Sequence, residues 1–304
     1  MKKELYLFFL LYLGTITCMY AQHTFFTITR SVRGEWPSYT SPKPDEFLTV
    51  DQALKVYAFV KDSTGMEFNY SYAGCEKRAH AVSLLLKSRH IPHRKIWNIE
   101  PGTMNFVVAR HVLNVTDRSG LNGNVSWPYH VAIKLFIKGP SKLDTVVVDP
   151  AIANTLINYK QWLAMQNVSD SYYTFLDPEW YSYYTINQEN VYGVQMPSKM
   201  DWTFTGDYFK YSGRSLQEHW VEQALAVNKV AVVMINDKVT GPGAADMAKV
   251  NAYRKLIGNF DDVTAALQGR IPDYFQNYAA DIAPYQQQYQ QEFQRWVTEL
   301  RPLE

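Results

Sequence analysis

The stretch Ser71–Lys87, Ser-Tyr-Ala-Gly-Cys-Glu-Lys-Arg-Ala-His-Ala-Val-Ser-Leu-Leu-Leu-Lys, constrains this chain's fold more than any other. Gly74 interrupts whatever precedes it. The helical period starts immediately afterwards, with Ala79, Val82, Leu85 and Leu86 on one apolar stripe. A helix opening at Cys75 has to bury that stripe. The same start puts a thiol at a helix N-terminus, where unpaired backbone N–H groups and the helix dipole favour an anion. A thiol so placed is expected to give up its proton readily, and the thiolate is the reactive form. The competing reading is a packed, inert cysteine.

A surface for that helix is visible downstream. Tyr129 to Ile137 alternates, with Val131, Ile133, Leu135 and Ile137 on one face and His130, Ala132, Lys134 and Phe136 on the other. Gly139-Pro140 opens a turn, Thr145 to Val148 returns, and Asp149-Pro150 closes the pattern as an antiparallel hairpin. Arg94 to Ile99 and Asn105 to Val115 read as further strands, separated by a turn at Pro101-Gly102. Gly120 to Asn124 reads as a loop. Thr49 or Asp51 caps a helix running to about Asp62, with Leu54, Tyr57, Phe59 and Val60 inward. A short helix follows at Tyr159 to Gln166, and a tyrosine-rich loop region extends to about Tyr211.

The chain then changes character. Ser215 to about Asn228, Ala244 to Ile257, Asp261 to Gln268 and Tyr274 to Leu300 all read as helical, the last broken at Pro284. Val230 to Ile235 fits a buried helix or a strand equally. The final segment is rich in glutamine but keeps Tyr285, Tyr289, Phe293, Trp296 and Leu300 at helical spacing, which implies packing. The class is therefore α+β, an antiparallel sheet against the Cys75 helix followed by a helical C-terminal region. The expected division is residues 22–213 and residues 214–304.

Lys2 and Lys3, the apolar run from Leu5 to Ile16 and the small residue at Ala21 read as a signal peptide over residues 1–21. The expected location is secreted or periplasmic. The chain has two cysteines; removing the leader with Cys18 leaves Cys75 alone and excludes a disulfide within the mature chain. Secreted proteins commonly commit their cysteines to disulfides, so a solitary thiol points to a functional one. A net charge of +1 gives no reason to expect nucleic acid or a polybasic membrane surface. No later run is long and apolar enough for a transmembrane segment. No phosphate-cradling glycine loop and no His-Glu-x-x-His occurs, and His90 with His93 is an incomplete ligand pair, so neither a metal nor a cofactor is expected.

Two residues of the hairpin complete a chemistry for the thiol. His130 opens one strand and Asp149 ends the other. The midpoint between them falls near the turn, which makes them close to cross-strand neighbours. Cys75 then serves as nucleophile, His130 takes its proton, and Asp149 orients the imidazole. Each has a plainer reading: an Asp before Pro is often a turn residue, and a lone strand His is often structural. His80, His90, His93 and His111 compete on composition alone. His80 lies well over a turn from Cys75, which removes it from the natural position.

Gly74-Cys75-Glu-Lys-Arg78-Ala79-His80, Trp127-Pro-Tyr129-His130-Val131-Ala132 and Val147-Val148-Asp149-Pro150, in that order, resemble the three catalytic blocks of the bacterial protein-glutaminases. The resemblance covers roughly residues 65 to 200. It implies a transglutaminase-like, papain-related core with a Cys75–His130–Asp149 triad, and it implies hydrolysis of glutamine side-chain amides in proteins or peptides. The implied partner is thus a protein or peptide with an accessible glutamine. The same triad also serves acyl transfer to an amine or peptide cleavage, and an inactive core serves as a binding module. The helical C-terminal region has no counterpart in the resemblance. Shielding the cleft, presenting substrate and simple packing are its open roles.

Overall fold

A mixed sheet backs the Cys75 helix. The computed structural model describes residues 24–27, 41–100, 112–139, 143–168, 170–178, 183–186, 201–204, 219–241 and 246–303. Its strands are β1 (Thr24–Thr27), β2 (Arg94–Ile99), β3 (Leu113–Thr116), β4 (Asn124–Trp127), β5 (Tyr129–Lys138), β6 (Leu143–Val148), β7 (Ile157–Asn158), β8 (Asp170–Leu176), β9 (Tyr183–Ile186) and β10 (Asp201–Phe204). Its helices are α1 (Val50–Ala58), α2 (Cys75–Lys87), α3 (Tyr159–Ala164), α4 (Trp220–Lys238), α5 (Met247–Ile257), α6 (Phe260–Leu267) and α7 (Ala283–Leu300). Six strands make the main sheet in the order β1-β8-β2-β5-β6-β7, while β3 with β4 and β9 with β10 form separate ribbons. Every pairing in the main sheet is antiparallel except β1 with β8, which is parallel and corrects the expectation of a purely antiparallel sheet.

The expected hairpin is β5 with β6, and its alternation separates two packed faces. Ile133 and Leu135 join a cluster with Ala53 and Val56 of α1 and with Ala81, Val82 and Leu86 of α2. Ala132 joins Val147 of β6 and Trp162 and Leu163 of α3 on the other side. Both faces are therefore covered, which is why His130 and Lys134, read as the polar face, are buried. Each fully buried Val or Leu in these layers contributes about 1.5–3 kcal/mol.

The helix α1 starts in a capping box: the Thr49 hydroxyl accepts from the Gln52 backbone N–H at 3.1 Å, and the Gln52 side chain accepts from the Thr49 N–H at 2.8 Å. Its inward face is Ala53, Val56 and Tyr57, continued by Val60 in the π-helical turn Phe59–Ser63. Leu54, expected inward, is 43% exposed, because the buried stripe lies one position away from it.

The C-terminal helices complete this core. Val221 and Leu225 of α4 and Trp296 and Leu300 of α7 belong to the same cluster as α1, α2 and β5. Val230 to Ile235 resolves as helix, inside the continuous α4. Pro284 sits in the first turn of α7, where its missing N–H has no intrahelical acceptor to lose. A second cluster of α4–α7 reaches back to Tyr70 and Leu121. The Tyr70 hydroxyl donates to the Ile257 carbonyl at 2.8 Å. Six strands went unread in the sequence: β1, β4 beside the site, β7, and β8, β9 and β10, which lie where a tyrosine-rich loop was expected. The signal-peptide segment, most of the strand expected at 105–115 and the tip of the hairpin lie outside the described residues.

Candidate active site

The loop that delivers Cys75 is fastened from three directions. Gly74 caps α2 with φ +86°, a left-handed conformation that a side chain rarely adopts. A Cβ there would also lie 3.0 Å from Nδ2 of Asn228, which comes from α4. Arg78, one turn into α2 and buried, donates to the Tyr70 and Ala73 carbonyls, each at 3.2 Å. With its amide oriented to satisfy both neighbours, Asn228 accepts from Arg78 at 2.7 Å and donates to the Ala224 carbonyl at 3.1 Å. The Trp127 indole N–H donates to the Ser71 carbonyl at 2.7 Å, tying β4 to the same loop.

His130 and Asp149 meet on the sheet. His130 Nε2 and Asp149 Oδ2 are 2.7 Å apart. Ile133 pairs with Val148, so the register sets Asp149 level with Ala132. The two residues are thus diagonal neighbours on one face rather than directly opposed, one step from the spacing expected around the turn. Asp149 is otherwise saturated. Oδ2 also accepts from the Trp162 indole at 2.7 Å, and Oδ1 accepts from the Ala151 N–H at 3.1 Å. Burial pushes its carboxyl up, but the His130 charge and hydrogen bond, with the Trp162 donor, outweigh burial and hold it below the usual range. The imidazole stacks on Trp127 at 4.5 Å and on Trp162 at 5.5 Å. An Nε2–H given to Asp149 leaves the lone pair on Nδ1, which is buried and has no hydrogen-bond partner among the described residues.

Cys75 is partly exposed and lines a cavity of about 200 Å³ with Gly74, Glu76, Trp127, Pro128 and Tyr129. Its sulfur lies 3.5 Å from Glu76 Oε2 and receives the backbone N–H of Val131, the residue after His130. Burial first, and then the Glu76 charge, push the thiol up; Arg78, Lys77 and the Val131 N–H oppose them and lose. The expected easy loss of the proton is therefore corrected. The favourable helix terminus is met by a buried carboxylate on the very next residue. Glu76 itself is kept ionised: burial pushes its carboxyl up, but the Lys77 ion pair outweighs it and holds it low. The Tyr129 hydroxyl bonds the same carboxylate.

The strand thus brings His130 and Asp149 into contact and puts the Cys75 sulfur on the backbone beside them. Among the described residues no hydrogen bond joins Cys75 to His130. The competing histidines lie elsewhere. His80 accepts from Lys95 Nζ at 3.0 Å. His93 bonds Ser83 at 2.7 Å, and burial pushes it down to about 4. His111 is outside the described residues. No group of three or more potential metal ligands occurs among the described residues. Trp162, Asn228 and Glu76 were not assigned site roles by sequence. Glu76 stood inside the quoted motif, whereas the other two reach the site only through tertiary packing.

Residues 52–166 match the family model described as glutaminase. No curated protein sequence matches the chain. Among the solved structures similar to it are three protein-glutaminase structures. A crystal structure of a pro-protein-glutaminase is 19% identical over 48% of this chain and 53% of its own, with a TM-score of 0.37. This chain therefore spans about half the length of that relative. A crystal structure of a protein-glutaminase is 14% identical over 66% of this chain and 93% of its own, at 0.39. The NMR structure of the protein-glutaminase from Chryseobacterium proteolyticum is 16% identical over 66% and 94%, at 0.40. No described helix is long and apolar enough to cross a membrane.

Proposed function

We propose that this protein, whose residues 52–166 match a glutaminase family model, deamidates glutamine side chains of proteins or peptides outside the cytoplasm through a thioester on Cys75. The core is then of the transglutaminase-like kind and occupies residues 22–213, with the helices of residues 214–304 packed over it. The observation that carries the reading is the 2.7 Å contact of His130 with Asp149, one residue along the strand from the N–H that meets the Cys75 sulfur.

The sulfur first turns from Glu76 toward Nδ1 of His130, the one ring nitrogen with a free lone pair. His130 takes the thiol proton, and Asp149 fixes the tautomer and stabilises the imidazolium. The thiolate attacks the amide carbon. The N–H of Cys75, in the first turn of α2 where no intrahelical acceptor exists, stabilises the oxyanion. His130 then protonates the leaving nitrogen, and ammonia departs from the thioester. Water, deprotonated by His130, releases glutamate and restores the thiol. Trp127 and Trp162 stack on the ring, which keeps it oriented through both steps.

Incubating the protein with a glutamine-containing peptide tests this directly. The expected result is ammonia release and a product in which NH2 is replaced by OH, with neither seen for Cys75→Ala. Peptide fragments or an amine-bearing product would instead assign the same residues to proteolysis or acyl transfer.

A further inference from the structure

The mechanism leaves the carboxylate of the cavity unused, and it stands beside the attacking atom. Glu76 is 6% exposed and lines the same cavity as Cys75. Its two oxygens are differently engaged. Oε1 holds the Lys77 ammonium, and Oε2 faces the sulfur at 3.5 Å. When the sulfur turns toward His130, Oε2 loses the thiol as a donor. Lys77, Tyr129 and its own backbone N–H still serve the carboxylate, but the oxygen that faced the thiol is stabilised by a new donor in its place.

From this geometry, resting on the deamidase reading above, we propose that Glu76 is the specificity-determining residue that recognises the substrate's primary amide, its Oε2 accepting an N–H of the glutamine carboxamide. An amide carbon in near-attack contact lies about 3–3.5 Å from the sulfur. Its nitrogen then falls at a similar distance from the sulfur, in the cavity that Glu76 also lines, and an amide turned toward Oε2 can donate to it. The two amide hydrogens give the carboxylate a donor that an ester and a carboxylate product both lack. After ammonia leaves and water opens the thioester, the new glutamate carboxylate faces Glu76 as a like charge. That repulsion favours release of product. Lys77 reduces it without removing it, because it sits on the opposite oxygen. Tyr129, whose hydroxyl also bonds Glu76, holds the carboxylate toward the cavity.

The test compares a glutamine peptide with the same peptide carrying a glutamate γ-methyl ester, for wild type, Glu76→Ala and Glu76→Gln. Ester turnover reports an intact fold and triad. For Glu76→Ala the ratio of amide to ester kcat/KM is expected to fall ~10- to 100-fold, because the change at the thiol acts on both substrates alike and only the amide loses an acceptor. For Glu76→Gln, which keeps an acceptor but removes the charge, inhibition by the glutamate product peptide is expected to tighten several-fold. An equal loss on amide and ester, or unchanged product inhibition in Glu76→Gln, overturns the proposal. A wild type that turns over neither substrate overturns the deamidase reading itself, and so is distinguishable from failure of the Glu76 assignment alone.

Discussion

The strand-borne half of the site and the helix-borne half are held in different ways. His130 and Asp149 share one hairpin and nearly every polar atom of the pair has a fixed partner: Asp149 accepts from the imidazole, from Trp162 and from Ala151. Cys75 sits on a loop whose shape depends on α4, a helix far along the chain, through Asn228 and Arg78. Its thiol is engaged with Glu76 rather than with the histidine. The pair is thus preorganised by local sheet geometry, while the proposed nucleophile is positioned by long-range packing and, on the proposed mechanism, has one conformational step to make. The sheet holds the pair, and α4 reaches the loop that carries the sulfur through Asn228 and Arg78.

The largest effect that bears on this contrast is expected from Asp149→Asn. It keeps the size of the side chain but offers the imidazole an amide, which selects the wrong tautomer. Deamidation should fall roughly 10⁴-fold with the fold retained. A loss below tenfold would mean that the strand-borne pair does not orient the base.

Next come the fastenings of the loop. Asn228→Ala removes one of three acceptors of Arg78 and is expected to cost about 1–3 kcal/mol in stability. By letting the sulfur drift it should lower kcat roughly tenfold. Gly74→Ala meets both the φ of +86° and the 3.0 Å approach of Asn228. Adding Asn228→Ala to Gly74→Ala should relieve the contact and leave only the backbone strain, so the double variant loses less than the sum of the two. Denaturant midpoints and kinetics for the three proteins measure this. Strict additivity would sever the proposed link between α4 and the nucleophile loop.

The smallest effect concerns acid. The Asp149 carboxyl is held low, so its contribution to stability is fully present above the unfolded aspartate pKa of about 3.9 and disappears as pH falls through the folded value. Trp162→Phe removes one donor and raises the folded value toward the unfolded one. The variant should therefore be less stable than wild type at neutral pH by about 1–2 kcal/mol, with the difference shrinking below pH about 4. Urea titrations at several pH values would show it. A gap that does not close in acid would assign the loss to packing instead.

The same contrast explains what could be read from residues alone. The alternation of Tyr129 to Ile137 and the Asp-Pro strand end revealed the pair because both residues belong to one local element. The diagonal offset was not legible, since hairpin register depends on turn type and loop length, which a midpoint count does not give. Gly74 announced the start of α2, which identified Cys75. The raised thiol was not legible because its cause is burial, together with the rotamer that turns Glu76 toward the sulfur. Trp162 and Asn228 face the site only once α3 and α4 have packed. The strand β8 could have been found: Asp170-Ser-Tyr-Tyr-Thr-Phe-Leu carries β-favouring aromatics, and the tyrosines were read as loop surface instead.

The central claim is that Cys75 is acylated by glutamine. Wild-type protein mixed with excess glutamine peptide, quenched in acid within the first turnovers and weighed intact, should carry the mass of the peptide less ammonia. Digestion should place that adduct on Cys75, and Cys75→Ala should show neither adduct nor ammonia. Ammonia release by Cys75→Ala at the wild-type rate, or an adduct on any other residue, would contradict the account.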